Sequence, residues 1–102
     1  MIGQTLRKKV LITNPQGFHM RPATAFARLA LQFPCDVRVV KEDQSVDGKS
    51  PISLLTLCAL PGTELTIEVS GPGAREALEA LVGVINVPAE EPADGTPPTP
   101  AP

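Results

Sequence analysis

The sequence predicts an α+β fold: an open-faced sandwich in which a four-stranded antiparallel sheet carries three helices on one face, in the order βαββαβα. Three observations lead there. Apolar residues recur at helical spacing in two separate stretches, Phe26-Leu29-Ala30-Phe33 and Ala77-Leu78-Leu81-Ile85. They alternate with period two at Val37 and Val39 and again at Leu65, Ile67 and Val69. Glycine and proline punctuate the chain between these stretches, and its 102 residues are enough for one modest core but not for two.

In chain order, Val10-Leu11-Ile12-Thr13 is β-rich, with Arg7-Lys8-Lys9 ahead of it as solvated charge. Asn14-Pro15-Gln16-Gly17 signals a loop. A first helix is expected over residues 20–31, with Phe26, Leu29, Ala30 and Phe33 inward. Pro34 ends that run, because the residue before a proline resists helical angles. Residues 35–41 read as a strand, 41–44 as a turn and 44–47 as a short returning strand. Asp47-Gly48-Lys49 turns the chain again. Ser50 and Pro51 then make a helix start, the hydroxyl as cap and the proline at the first helical position. This short helix is expected over 51–57, with Leu54 and Leu57 in the core and Ile52 and Leu55 outward. Pro61-Gly62 leads into the strand around Leu65, Ile67 and Val69, which Gly71-Pro72-Gly73 breaks. The last helix is expected over 74–85, with Arg75, Glu76 and Glu79 outward. Residues 87–102 are rich in proline, alanine, threonine and acidic residues without apolar periodicity. They are expected to form a disordered tail behind a single domain over residues 1–86.

Composition removes several classes of function. A net charge of −2, no Trp or Tyr and only three Phe argue against general nucleic-acid binding. No apolar run has the length of a membrane span. The start, Met-Ile-Gly-Gln-Thr-Leu-Arg-Lys-Lys, does not read as a secretory signal, and a cytoplasmic location is expected. Cys35 and Cys58 are too far apart for a Cys-x-x-Cys motif and are expected to be small buried hydrophobes. A single histidine supplies a metal site or a catalytic triad poorly, so neither metal nor cofactor is expected.

That histidine lies in Gly17-Phe18-His19-Met20-Arg21-Pro22-Ala23. Gly17 permits the positive φ of a tight turn. Pro22 falls in the first turn of the expected helix, where a missing N–H costs little. His19 therefore sits at or just before a helix N-terminus, with free amides and the positive end of the helix dipole beside its ring. Arg21 adds a permanent charge with several donors. Such surroundings would balance a phosphoryl group carried by the ring.

At these residues the chain resembles the HPr family, the histidine-containing phosphocarriers of the bacterial phosphoenolpyruvate-dependent sugar phosphotransferase system. The likeness runs from about residue 8 to about residue 85, and Asp47-Gly48-Lys49-Ser50-Pro51-Ile52 resembles the family's regulatory serine segment. The resemblance implies the same open-faced sandwich. It also implies that His19 accepts and donates the phosphoryl group through Nδ1, with Arg21 balancing its charge and Gly17, Met20 and Pro22 shaping the supporting loop and helix start. The implied partners are enzyme I, enzyme IIA components and, through Ser50, an HPr kinase/phosphorylase. Met20, Ile52 and Leu55 match apolar docking positions, and the protein is expected to act as a monomer. Pro51 stands where the family carries a larger aliphatic residue, and Ser50 is equally well read as a plain helix cap. A regulatory phosphoprotein of a nitrogen-type or incomplete phosphotransferase branch is the alternative within the family. An acylphosphatase-like hydrolase using Asn14 and Arg21 would leave His19 unexplained, and a nucleic-acid or metal-binding module lacks the residues for it.

Overall fold

The computed structural model describes residues 5–85; the expected tail at 87–102 lies outside the described residues. The elements follow the expected order: β1 (Thr5–Leu11), α1 (Met20–Ala30), β2 (Asp36–Lys41), β3 (Gln44–Asp47), α2 (Pro51–Leu55), β4 (Glu64–Ser70) and α3 (Ala74–Val84). The four strands form one sheet in the order β1-β4-β2-β3, every neighbouring pair antiparallel. The central strands β4 and β2 alternate most cleanly, because each pairs on both edges and buries one face. Leu65, Ile67, Val69, Val37 and Val39 all point into the core, none more than 3 % exposed.

The helices cover that face. α1 buries Pro22, Ala23, Phe26, Ala27 and Ala30, and α3 buries Ala74, Ala77 and Leu81. α1 packs on both α2 and α3, and α3 lies over β1 and β4. The small residues Ala23, Ala27, Ala30 and Ala77 let the helix backbones approach closely, while Phe26, Leu54, Leu57 and Leu81 fill the space between layers. The opposite face of the sheet is polar; Arg7 Nε meets Glu68 Oε2 there at 3.0 Å.

Four expectations need correction. β1 begins at Thr5 and includes Arg7-Lys8-Lys9, because its limits are set by pairing with β4, from Thr5 opposite Ser70 to Leu11 opposite Glu64. Lys8 stands opposite the buried Ile67 yet stays exposed, which an edge strand permits; an inward-facing lysine there also discourages pairing with another chain. Cys58 is exposed, whereas Cys35 is buried as expected. The chain leaves α2 through a left-handed residue, Cys58 at φ 51°, so that Leu57 and Ala59 on either side turn inward. Leu29, Phe33 and Leu78 are only half-buried, at the margin of the core. α2 is one turn and a half, Pro51–Leu55, and its expected last residues instead form a tight turn in which Leu57 N donates to Leu54 O at 3.2 Å.

Candidate functional site

The loop after β1 starts from a fixed point. Ile12, 1 % exposed, donates its N–H to Thr63 O at 2.9 Å and accepts from Gly62 N at 2.8 Å. Gly17 N then donates to Asn14 O at 2.9 Å, closing a turn. Gly17 has φ +74°, and a Cβ there would lie 2.6 Å from the Ala59 carbonyl oxygen and 3.2 Å from Leu60 Cα. Only glycine fits both the angle and the space. Phe18 N donates to the same Ala59 oxygen at 2.8 Å, and the Phe18 ring is buried edge-to-face on Phe26, with centroids 6.0 Å apart. His19 thus follows two residues that the loop holds tightly.

His19 is the N-cap of α1, extended at φ −99° and ψ −164°. Its carbonyl accepts the first helical bond, from Ala23 N at 3.0 Å, but its side chain makes no capping bond. The amides of Met20 and Arg21 have no intrahelical partner, and Pro22 has no N–H. The first turn contains no acidic residue to offset the helix dipole. Nε2 of the ring is shielded from solvent and unpartnered, which leaves Nδ1 as the approachable nitrogen. Arg21 is exposed and forms no hydrogen bond or ion pair among the described residues, so its guanidinium is available to an anion. Beside it, Met20, Arg21, Thr24, Ala25 and Arg28 line a shallow depression on the helix.

Ser50 is the N-cap of α2, and its Oγ accepts from Ser53 N at 3.3 Å. The turn before it is braced by Asp47, whose Oδ1 accepts from Lys49 N at 2.9 Å, and by Lys49, whose Nζ donates to Phe33 O at 2.9 Å. α2 packs on α1; Leu54, and Leu57 just beyond the helix, are in the core and Ile52 is 76 % exposed, as expected, but Leu55, expected to face outward, is half-buried against the core's edge. Met20 is 62 % exposed on the neighbouring helix.

Sequence reasoning gave Phe18, Arg28 and Leu60 no part in the site and did not place Asn14 as buried. Phe18 anchors the loop, Asn14 is buried, Arg28 lines the depression beside Arg21, and Leu60 is 67 % exposed next to Gly17. The apolar character of Phe18 beside a glycine turn was a signal for the first; nothing in a polar loop segment marks Asn14 as buried.

The family described as the PTS HPr component phosphorylation site matches residues 6–86. The chain is 40 % identical over 79 residues to the phosphocarrier protein HPr of Vibrio cholerae, covering 78 % of this chain and 93 % of that protein. It is 42 % identical over 79 residues to the phosphocarrier protein HPr of Pseudomonas aeruginosa, covering 76 % and 88 %. The crystal structure of a phosphocarrier protein HPr from Bacillus anthracis superposes with a TM-score of 0.76 at 32 % identity, covering 80 % of this chain and 98 % of that one. Motif, fold and relatives agree: the chain belongs to the HPr family of phosphocarriers of the phosphotransferase system.

Proposed function

We propose that His19 carries a phosphoryl group on Nδ1, accepting it from phosphorylated enzyme I and passing it to enzyme IIA components in sugar uptake. Phosphoenolpyruvate is the ultimate donor. The observation that supports this most is the N-terminus of α1, which lacks both a side-chain cap and an acidic residue while an accessible ring nitrogen stands at its N-cap. In the forward step the Nδ1 lone pair forms a bond to phosphorus as the bond between phosphorus and its donor breaks. The charge on the phosphoryl oxygens faces the unpaired amides of Met20 and Arg21 and the free Arg21 guanidinium. The return step reverses these bonds at the acceptor. A helix end and one mobile arginine hold the group without the grip of a metal ion, which suits a carrier that must release its load.

Docking falls to the exposed apolar residues around the ring, Met20 and Ile52, with Leu55 at their margin. Such a patch beside a charged centre suits a transient interface. Ser50 supports a second, regulatory element. A phosphate on its half-buried hydroxyl would stand beside this patch and add charge that weakens docking on an acidic partner. In this reading the protein works as a cytoplasmic monomer.

Incubation with enzyme I and labelled phosphoenolpyruvate tests the carrier step. The expected product is an acid-labile, alkali-stable label that His19→Ala abolishes; a label that survives His19→Ala overturns the reading. For Ser50, an HPr kinase with ATP should label the wild type and not Ser50→Ala, and no label on the wild type contradicts the regulatory role.

A further inference from the structure

We propose that residues 87–94, an acidic segment outside the described residues, dock on the solvent face of α1, where their carboxylates meet Arg21 and Arg28 and shield the His19 site. The inference deepens the carrier reading above and rests on it for the consequence of the contact. Charge is divided unevenly along the chain. All nine Lys and Arg fall within residues 1–86, whereas Glu90, Glu91 and Asp94 follow with no cation among residues 87–102. On α1 the imbalance is reversed: the helix holds Arg21 and Arg28 and no acidic residue. Both arginines are exposed and line one depression with Met20, Thr24 and Ala25. Neither forms a hydrogen bond or ion pair among the described residues. Other cations are already engaged: Arg7 with Glu68, Arg38 with Ser45, and Lys41 and Lys49 with the carbonyls of Leu57 and Phe33.

Topology brings the two together. β4 runs antiparallel to β1, from Glu64 opposite Leu11 to Ser70 opposite Thr5. The turn through Gly71 and Gly73 starts α3 at the Thr5 end, and the helix packs back over β1 and β4. Ile85 therefore lies towards the end of the sheet where β1 gives way to the His19 loop. α1 begins at that same end and packs against α3, so the chain leaves α3 beside the first turn of α1. Packed helix axes lie about 8–10 Å apart. The stretch from Ile85 to Glu91 spans up to about 20 Å. The rise along α1 from Arg21 to Arg28 is about 10 Å, within the reach of about 13 Å from Glu90 to Asp94. Pro88 and Pro92 flank the two glutamates and leave the segment less backbone freedom to lose on docking. Seated there, the carboxylates occupy the guanidinium that a phosphoryl group needs and repel an acidic partner. A partner that brings more carboxylates displaces them.

The full chain is compared with the triple variant Glu90→Gln, Glu91→Gln, Asp94→Asn, which changes charge and not size at positions outside residues 5–85. In nitrogen-15 spectra the backbone and side-chain N–H resonances of Arg21 and Arg28 should differ between the two proteins at low salt. Raising the salt to about 0.5 M should bring the wild type to the variant's positions, because exposed ion pairs are screened. Arg28→Gln should weaken the same salt response at Arg21. Resonances that coincide in the two proteins at low salt overturn the proposal. So does a difference that grows with protein concentration, which would seat the segment on a second copy. At low salt the KM for phosphoryl acceptance from phosphorylated enzyme I should be roughly threefold lower in the triple variant, with kcat unchanged. Equal KM values assign this face to the partner alone and overturn the shielding. If neither protein accepts phosphate, the carrier reading fails, and the resonances by themselves decide whether the segment is seated on α1.

Discussion

Two helices in this protein begin in opposite ways. α2 starts at Ser50, whose Oγ accepts from Ser53 N, with Pro51 at the first helical position. Its N-terminus is closed by its own side chain. α1 starts at His19, whose side chain caps nothing, and no acidic residue follows in the first turn. Its amides and dipole are left uncapped by the side chain that precedes them. The longer helix, Met20–Ala30, tolerates the missing cap because five buried residues fasten it to the core. The five-residue helix Pro51–Leu55 buries Leu54 alone and depends more on its cap. The proposed site sits where packing has made local stabilisation dispensable.

Each end can be altered to break or sharpen this contrast. Among variants that keep the imidazole, the largest effect is expected from Arg21→Ala, which leaves α1 intact but removes the free guanidinium; phosphoryl acceptance measured with enzyme I should fall about 100-fold. Gly17→Ala attacks the loop that delivers His19. Its Cβ meets the Ala59 oxygen and Leu60 Cα at a φ of +74°, so the unfolding free energy should drop by about 2 kcal/mol in a denaturant titration. Ser50→Ala removes the closed end and should cost about 1 kcal/mol in the same titration. His19→Asp closes the open one. It should raise stability by about 0.5–1 kcal/mol while abolishing the carrier step, a direct exchange of function for a cap. A loss of stability in His19→Asp would mean that the imidazole itself, rather than its absence of capping, supports the helix start.

The sequence shows some parts of this arrangement more clearly than others. β3 at Gln44–Asp47 and the start of every helix were legible, because period, proline and cap residues act locally. The limits of β1 were not, since they follow from its register with β4, more than fifty residues away, rather than from its own apolar content. Cys58 was misplaced for a related reason: a left-handed turn at the end of α2 leaves no composition signal when cysteine rather than glycine adopts it. In the site, His19, Arg21 and Gly17 stood out by spacing. The shielding of Nε2, the burial of Asn14 and the exposure of Leu60 arise only when the loop closes on Ala59, and no single-chain pattern carries that contact.

The most direct test of the open helix end is where the phosphate goes. Protein labelled with nitrogen-15 and phosphorylated through enzyme I should show one phosphohistidine, with phosphorus coupled to Nδ1 of His19. The amide resonances of Met20 and Arg21 should shift most as they take up the phosphoryl oxygens. Phosphorus coupled to Nε2, or a phosphorylated protein in which those two amides do not move, would contradict the account.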